Sequence, residues 1–232
     1  MARRVRLVLE SGSYAVYREP VQYAMNARSW VRSATASAVD RALGIHTASV
    51  EGMLTHEATL CQDSLRYDSA HPLTLLWFLR TLDLREDDTF YDIGCGAGRM
   101  VCLAARRKLN KVVGVEIDGT LSCLAEKNVK HLRGRKSPVA IVREDAAGVR
   151  YDDGTVFFMD NPFGVSTLTM VLETIHRSLE SNPRFLRILY LHPVHNEAFE
   201  RSGWLKFRGI FRPPWSGARA SFWEAGATSG HS

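Results

Sequence analysis

From residue 67 onward the chain alternates between short apolar runs and longer segments in which apolar residues recur at helical spacing. The short runs are typical of buried strands, and the first of them ends in a glycine-rich loop. Strands that alternate with helices predict a parallel sheet with helices on both faces. The predicted strands cover residues 89–94, 111–117, 139–143, 155–159 and 187–191. The predicted helices cover residues 100–108, 121–132 and 166–179, and an earlier helix, capped by Asp68 or Ser69 with Pro72 in its first turn, extends to Leu82.

The end of the pattern differs from this alternation. Two β-rich runs, residues 204–211 and 220–224, flank Pro213, Pro214 and Gly217, and this arrangement predicts an antiparallel hairpin. The expected fold class is therefore α/β: a Rossmann-like doubly wound sheet, mostly parallel with a C-terminal antiparallel hairpin, plus a helical N-terminal extension.

The two ends of the chain lack the pattern of the middle. Residues 1–66 show helical spacing only over residues 21–39, and the final stretch is small and polar. We therefore expect three parts of the chain. They are an N-terminal helical extension or lid over residues 1–66, the α/β domain over residues 67–224, and a flexible tail over residues 225–232.

Composition narrows the class of protein. The chain has 232 residues, 45% of them hydrophobic and 24% charged, which suits a globular domain and excludes general disorder. No stretch approaches the roughly 20 apolar residues that span a bilayer. The basic start breaks at Glu10 without a signal-like apolar core, and the four cysteines form no C-x-x-C pair. These features favour a cytoplasmic protein with free thiols, no metal and no membrane partner.

The net charge of +5 is distributed unevenly. Residues 1–50 hold seven Arg and three acids, a net charge of +4, whereas the rest of the chain carries only +1. A nucleic-acid enzyme usually carries a basic stripe beside its chemistry, but here the excess lies in the N-terminal arm. A second basic run over residues 127–136 is typical of a solvated helix end, with an anion site as the alternative.

The heptapeptide DIGCGAG, which begins at Asp92, has the clearest chemical meaning. It lies between a strand and a helix, where glycines let a ligand approach the backbone. Gly94, Gly96 and Gly98 form a G-x-G-x-G pattern, and Arg99 stands where a dinucleotide fingerprint needs its last glycine. The acid before the glycines can help orient a cationic amino acid moiety, directly or through water. The alternative is a tight turn without a ligand.

Two more acidic residues follow at the ends of the next strands. Glu116 lies 22 residues after Gly94, where a carboxylate can accept both hydroxyls of a ribose. Asp145, followed by Ala146, is placed to accept a hydrogen bond from an adenine amino group, and Glu144 is an adjacent candidate. Parallel strands end at one edge of a sheet, so the three acids outline a nucleoside plus an amino acid.

On these residues the chain resembles the class I S-adenosylmethionine-dependent methyltransferases. The resemblance implies S-adenosyl-L-methionine as the cofactor. It extends over roughly residues 39–204 to a bacterial group of mostly unassigned substrate, through residues 40–41, 44–47, 161–163 and 190–193 and Tyr67. The cofactor-binding residues that it implies are Tyr67, Asp92, Gly94, Gly96, Gly98, Glu116, Asp145, Ala146 and Asn161.

The methyl acceptor is expected beside the DNPF loop that begins at Asp160, after the fourth strand. In amino-group methyltransferases that act on bases, a similar loop accepts hydrogen bonds from the target NH₂ and stacks a ring on the base. Pro162 and Phe163 fit that pattern as substrate contacts, whereas Asn161 replaces its first proline, which weakens a nucleobase interpretation. A hydroxyl acceptor would also need a general base. The expected catalytic residues are Asp160, Asn161 and His192.

Three functions remain open at this point. The leading one is methyl transfer to nitrogen or oxygen of a small molecule, which the near-neutral catalytic region favours. The second is methyl transfer to a macromolecular amine, a protein lysine or a nucleobase, which the DNPF loop and the basic arm favour. The third is a non-catalytic regulatory protein that binds the cofactor, because fold alone does not establish turnover.

Overall fold

The computed structural model describes the backbone of residues 18–47 and 70–226, with side chains from residue 31 onward. Six helices and seven strands lie in these ranges. The helices are α1 (Arg18–Leu43), α2 (Pro72–Thr81), α3 (Arg99–Ala104), α4 (Gly119–His131), α5 (Val165–Ser181) and α6 (Asn196–Ser202). The strands are β1 (Thr89–Ile93), β2 (Lys111–Glu116), β3 (Val139–Arg143), β4 (Val156–Asp160), β5 (Leu186–Leu191), β6 (Lys206–Phe211) and β7 (Ala220–Ala225).

The seven described strands form one sheet in the order β3-β2-β1-β4-β5-β7-β6. Strands β1 to β5 pair in parallel, and β7 runs antiparallel to both β5 and β6. The predicted fold class is confirmed, including its C-terminal antiparallel pair. The direction of chain progression reverses between β1 and β4, and ligands of open α/β sheets bind at the carboxyl edge beside such a reversal.

The central strands are buried on both faces, because each face of the sheet supports its own apolar cluster. In β4, Phe158 joins the cluster that contains Phe78 of α2, whereas Phe157 and Met159 join the cluster that contains Leu172 of α5. This alternation follows from the two-residue period of a strand. The double burial fixes the strands firmly, and therefore the loops at their carboxyl ends.

The helices differ from the sequence expectations mainly at their ends. Helix α2 begins at Pro72 and has His71 as its N-cap, and the expected caps Asp68 and Ser69 lie outside the described residues. Helix α3 stops at Ala104 rather than at residue 108, because the backbone N–H groups of Lys136 and Ser137 donate to the carbonyl of Ala105, at 2.8 and 3.1 Å. Helix α6 was not predicted, since a segment of seven residues is too short to show a clear helical period.

The chain divides into two compact units, residues 1–35 and 36–232, and the division falls within α1. The end of α1 and residues 44–47 therefore belong to the unit that contains the sheet. The boundaries expected at residues 66 and 224 stay predictions. None of the described helices combines the length and the apolar composition that a membrane span requires.

Candidate functional site

The glycine loop joins β1 to α3 in a conformation that its three glycines make possible. Gly94, Gly96 and Gly98 have φ values of 77°, 53° and 79°, in the left-handed region that other residues rarely adopt. A Cβ atom on Gly94 would lie 2.3 Å from the Cβ of Pro162, and one on Gly98 would lie 3.0 Å from the Cβ of Ala125. The glycines thus serve both the turn and the close approach of two neighbouring segments.

Asp92 lies just before this loop and is 2% exposed. Its Oδ2 atom is buried and accepts no hydrogen bond from any residue that the structure describes. Burial raises the pKa of Asp92 well above its usual range, and the nearby carboxylate of Asp160 raises it further. A buried acceptor without a donor is costly. A cationic amino group bound here would satisfy it, as the sequence predicts.

Glu116 ends β2 and is held against the glycine loop by backbone donors. One carboxylate oxygen accepts from the N–H of Gly96 at 2.7 Å, and the other accepts from the N–H of Asp118 at 3.0 Å. Burial raises the pKa of Glu116, and these two hydrogen bonds oppose the shift. The carboxylate is therefore fixed beside the loop, where it can accept hydrogen bonds from the hydroxyl groups of a ribose.

Asp145 and Ala146 form the turn after β3, at the same edge of the sheet. Asp145 is exposed, and its Oδ1 accepts from the N–H of Ala147 at 3.0 Å. Ala146 is 8% exposed, and its carbonyl accepts from the hydroxyl of Tyr151 at 2.7 Å. The structure thus brings the third predicted acid to the carboxyl edge but leaves its side chain more open than those of the other two.

The structure joins two of the expected catalytic residues, Asp160 and His192, in one pair. The Nδ1 atom of His192 lies 2.6 Å from the Oδ1 of Asp160, and their side chains are 50% and 17% exposed. The backbone of His192 has a φ of 49°, and its N–H donates to the carbonyl of Arg219 at 2.8 Å. Strained backbone of this kind concentrates at functional sites.

The remaining residues of the DNPF loop are fixed by packing. Asn161 has a φ of 41°, and its Oδ1 accepts from the hydroxyl of Tyr190 at 2.7 Å. Pro162 packs on Gly94, and Phe163 is 8% exposed within the apolar cluster beside α5. The loop is therefore a rigid bridge between the glycine loop and the end of β5. The substrate contacts expected of Pro162 and Phe163 stay predictions, and Tyr67 lies outside the described residues.

A buried polar network behind the glycine loop was not foreseen as part of the site. Arg99, which is 1% exposed, donates from Nε to Thr47 Oγ1 at 2.6 Å and from Nη1 to the carbonyl of Ala70 at 3.0 Å. Thr47 donates in turn to Asp40 from its backbone and its hydroxyl, at 2.7 and 2.8 Å. The residue that replaces the last glycine of a dinucleotide fingerprint thus anchors the segment after α1.

The turn between β6 and β7 was predicted as part of a hairpin but not as part of the site. Because β7 is antiparallel to β5, this turn lies at the edge of the sheet where the parallel strands end. The carbonyl of Arg219 in the turn accepts a hydrogen bond from the backbone N–H of His192. Trp215 in the turn and Val194 after β5 are 63% and 67% exposed. Large apolar side chains that stay exposed often mark a binding surface. In the sequence, Trp215 directly after Pro213 and Pro214 could have indicated that this turn takes part in binding.

Potential metal ligands are scattered in this part of the molecule. Within residues 31–47 and 70–226, no three His, Cys, Asp or Glu side chains come together as a metal site would require.

Comparison with known sequences gives two matches. Residues 64–142 match the family model described as histone methylation protein DOT1. A segment of 94 residues is 31% identical to ribosomal RNA small subunit methyltransferase A of Persephonella marina. That segment is 39% of this chain, and the chain spans about a third, 34%, of the relative's length.

Comparison with solved structures gives matches over most of the chain. A methyltransferase from Pyrococcus furiosus has a TM-score of 0.57 at 16% identity, over 86% of this chain and 98% of that one. An RNA methyltransferase from Salinibacter ruber, in complex with S-adenosyl-L-homocysteine, has a TM-score of 0.51 at 20% identity, over 72% and 98%. A Thermotoga maritima O-methyltransferase has a TM-score of 0.51 at 21% identity, over 71% and 69%.

The fold and the cofactor assignment made from the sequence agree with these matches. The unpartnered oxygen of Asp92, the left-handed glycine loop and the fixed carboxylate of Glu116 fit the amino group and the ribose of S-adenosyl-L-methionine. By sheet order the described part of the chain has the fold of the class I S-adenosylmethionine-dependent methyltransferases, and part of its sequence is similar to methyltransferases.

Proposed function

We propose that the chain transfers the methyl group of S-adenosyl-L-methionine to a nitrogen or oxygen atom that reaches the Asp160–His192 pair. The observation that carries this proposal is the geometry of one sheet edge. The buried, unpartnered oxygen of Asp92 lies at the end of β1, and the reactive pair spans the ends of β4 and β5. The bound cofactor supplies an activated methyl group on a sulfonium, and the protein supplies alignment.

His192 is the group best placed to take a proton from the acceptor. A carboxylate on one ring nitrogen fixes the tautomer of an imidazole and stabilises the imidazolium that forms when the ring is protonated. Asp160 makes this contact at 2.6 Å. When the acceptor takes the methyl group that the bound cofactor would supply, with the sulfur keeping the electron pair of the broken carbon–sulfur bond, the imidazole would receive the proton that the acceptor loses. A neutral amine needs this base less than a hydroxyl does.

For the acceptor we propose first a small molecule. The unit that contains the sheet is nearly neutral in charge. The exposed Val194 bonds through its backbone N–H to the carbonyl of His192, and the exposed Trp215 lies in the turn at the same edge of the sheet. Residues 1–66 are the proposed lid over this acceptor. Asn161 is the proposed contact to both the cofactor and the acceptor, since Tyr190 holds its side-chain oxygen in place.

A macromolecular amine is the second candidate, and a specific observation favours it. The described surface carries a band of cations on the side of α4, and the chain resembles an RNA methyltransferase in fold and a ribosomal RNA methyltransferase in part of its sequence. Screening small amines and phenols against peptide and RNA acceptors, with release of S-adenosyl-L-homocysteine as the readout, separates the two. Turnover with RNA or peptide alone would overturn the small-molecule proposal.

Cofactor binding is tested separately by calorimetric titration. S-adenosyl-L-methionine and its demethylated product should bind the native chain, and D92A and E116A should lose that binding. The matched control is E86A, an exposed acid before β1 at the opposite edge of the sheet, paired with the exposed Lys108. Lack of binding to the native chain would contradict the proposal. Binding without turnover on any acceptor would instead support the non-catalytic regulatory alternative.

A cytoplasmic location is part of the same proposal. The described cysteines, Cys95, Cys102 and Cys123, are free thiols. Burial raises the pKa of Cys102 to about 12, so that thiol stays protonated and unreactive at neutral pH. Free thiols are the rule in a reducing compartment.

A further inference from the structure

A surface groove of about 460 Å³ lies where α4 meets the segment that follows α1. Arg41, His46, Lys127, His131 and Arg133 contribute to its lining, and all five are exposed. None of the described residues that line it is acidic. The groove shares no residue with the proposed cofactor and acceptor positions, so it is a separate surface with a strong positive charge.

Hydrogen bonds fix the walls of this groove. The backbone N–H of Arg133 donates to the carbonyl of Leu43 at 2.8 Å, and the Arg133 guanidinium donates to the carbonyl of Arg41 at 3.3 Å. Asn128 accepts from the N–H of His46 at 2.8 Å and donates to its carbonyl at 3.2 Å. The cations are therefore presented on a backbone that is already ordered, which lowers the entropic cost of binding a ligand.

The positive charge continues beyond the groove as a band. Lys130, Arg135 and Lys136 are exposed on α4 and the loop after it. Gly134 in this loop lies against Arg106, because a Cβ on Gly134 would be 3.4 Å from the Arg106 Nε atom. Residues 127–143 contain no Asp or Glu. A band of this extent exceeds what one phosphate or carboxylate group can neutralise, and it fits a chain with repeated negative charges.

We propose that this groove and band bind the phosphodiester backbone of a nucleic acid, with single-stranded RNA as the best fit. Two exposed imidazoles, His46 and His131, lie among the cations and offer ring faces on which unpaired bases can stack. An acidic peptide would use the cations but not the rings. The amide of Asn128 also donates to the carbonyl of Ala97 in the glycine loop, at 2.8 Å. A strand bound here lies against the element that supports the cofactor site.

The test is fluorescence anisotropy of an unstructured oligoribonucleotide with the full chain, at several salt concentrations. K127Q/R133Q should lower the affinity about tenfold and reduce the slope of log affinity against log salt by about 1.4, or about 0.7 for each lost phosphate contact. R177Q should leave both values unchanged, because Arg177 is an exposed cation on α5, outside the band. Equal affinity of the native chain and K127Q/R133Q would overturn the proposal.

Two competition experiments identify the class of ligand. Polyglutamate that competes as well as RNA at equal charge concentration would indicate an acidic protein partner, and competition by millimolar inorganic phosphate would indicate a single-anion site. Either outcome overturns the nucleic-acid proposal. Calorimetric titration of K127Q/R133Q with S-adenosyl-L-methionine should match the native chain. The groove proposal therefore fails or stands independently of the proposed methyl transfer, and an unchanged melting temperature shows that the variant folds.

Discussion

The carboxyl group of Asp92 lies at the end of β1, where burial raises its pKa well above the usual range. A raised pKa means that the folded chain binds this proton more tightly than the unfolded chain does. The stability of the ligand-free protein therefore falls as pH rises from the ordinary aspartate pKa toward the raised value. A cationic ligand that pairs with the carboxylate offsets this cost.

The variant D92N should separate stability from function. It removes the buried charge while keeping an oxygen acceptor, so the ligand-free melting temperature should rise at pH 7 and the gain should shrink as pH falls toward 4. Affinity for S-adenosyl-L-methionine should fall at least about tenfold, since the charged partner of the amino group is lost. Thermal unfolding between pH 4 and 8 and calorimetry at pH 7 measure the two effects. A gain that is independent of pH would contradict this account.

Replacement of Gly94 by alanine should be severe. The residue has a φ of 77°, and its Cβ would lie 2.3 Å from Pro162, so both the backbone and the contact are strained. We expect a loss of about 2–4 kcal/mol in the free energy of unfolding and a displaced DNPF loop. The matched control is G203A, where φ is 73° but a Cβ would meet nothing within 4 Å. Urea unfolding should show about 1 kcal/mol for the control, the cost of the backbone alone.

Single residues at strand ends were predictable because local rules determine them. Gly94, Gly96 and Gly98 follow a strand directly, and Glu116 stands at the end of the next strand, so spacing along the chain was sufficient. The pairing of Arg99 with Thr47 was not predictable. It joins residues 52 positions apart, and no local pattern specifies such a contact.

At the scale of elements, the alternation of strands and helices was predictable, but the register between strands was not. The Asp160–His192 contact depends on the parallel pairing of β4 with β5, in which Asp160 lies opposite Leu191. A shift of one residue would turn one of the two side chains to the other face of the sheet. Asp160 and His192 were therefore two separate candidates in the sequence, and the structure brings them together.

A buried ion pair joins the start of β5 to the segment between α2 and β1, and its removal should destabilise the fold. Arg187 of β5 bonds Asp88 at 2.6 Å and the carbonyl of Leu82 at 2.5 Å, and both charged side chains are less than a tenth exposed. Removing one member of a buried pair leaves an uncompensated charge. R187M should therefore cost about 3–5 kcal/mol in the free energy of unfolding, measured in urea.

The control for this prediction is R201M in α6. Arg201 also pairs with an acid at 2.6 Å, Glu197, but both side chains are more than 70% exposed. Exposed pairs contribute about 0–1 kcal/mol, so this variant should unfold almost as the native chain does. Similar losses in R187M and R201M would show that the buried ion pair does not hold these elements together. Affinity for S-adenosyl-L-methionine should be unchanged in both folded variants, because neither residue is near the glycine loop in the sheet.

At the scale of the whole molecule, charge is separated more sharply than the net value indicates. Asp92, Glu116 and Asp145 gather at the carboxyl edge of the sheet, whereas the basic band runs along α4 and the loop after it. The uneven charge of residues 1–50 was visible in the sequence. The groove was not, because it combines Arg41 with Arg133, and only the fold places these residues side by side.

Deletion of residues 1–35 tests how much the basic N-terminal segment and the groove each contribute to RNA affinity. The described members of both apolar clusters lie at or after Val39, so the shortened chain should keep its fold and bind S-adenosyl-L-methionine within about threefold of the native affinity. The deleted segment holds six Arg and two Glu, so the salt slope for RNA binding should fall.

The groove variant should have the same effect in the shortened chain as in the full one. If residues 1–35 and the groove act independently on RNA, their effects are additive, and K127Q/R133Q should again lower RNA affinity about tenfold in chains that begin at residue 36. The measurement is an anisotropy titration of four chains: the full and the shortened chain, each with and without K127Q/R133Q. If the deletion alone abolishes RNA binding, or if the groove substitutions lose their effect in the shortened chain, the N-terminal arm is the primary contact and the groove contributes only through it.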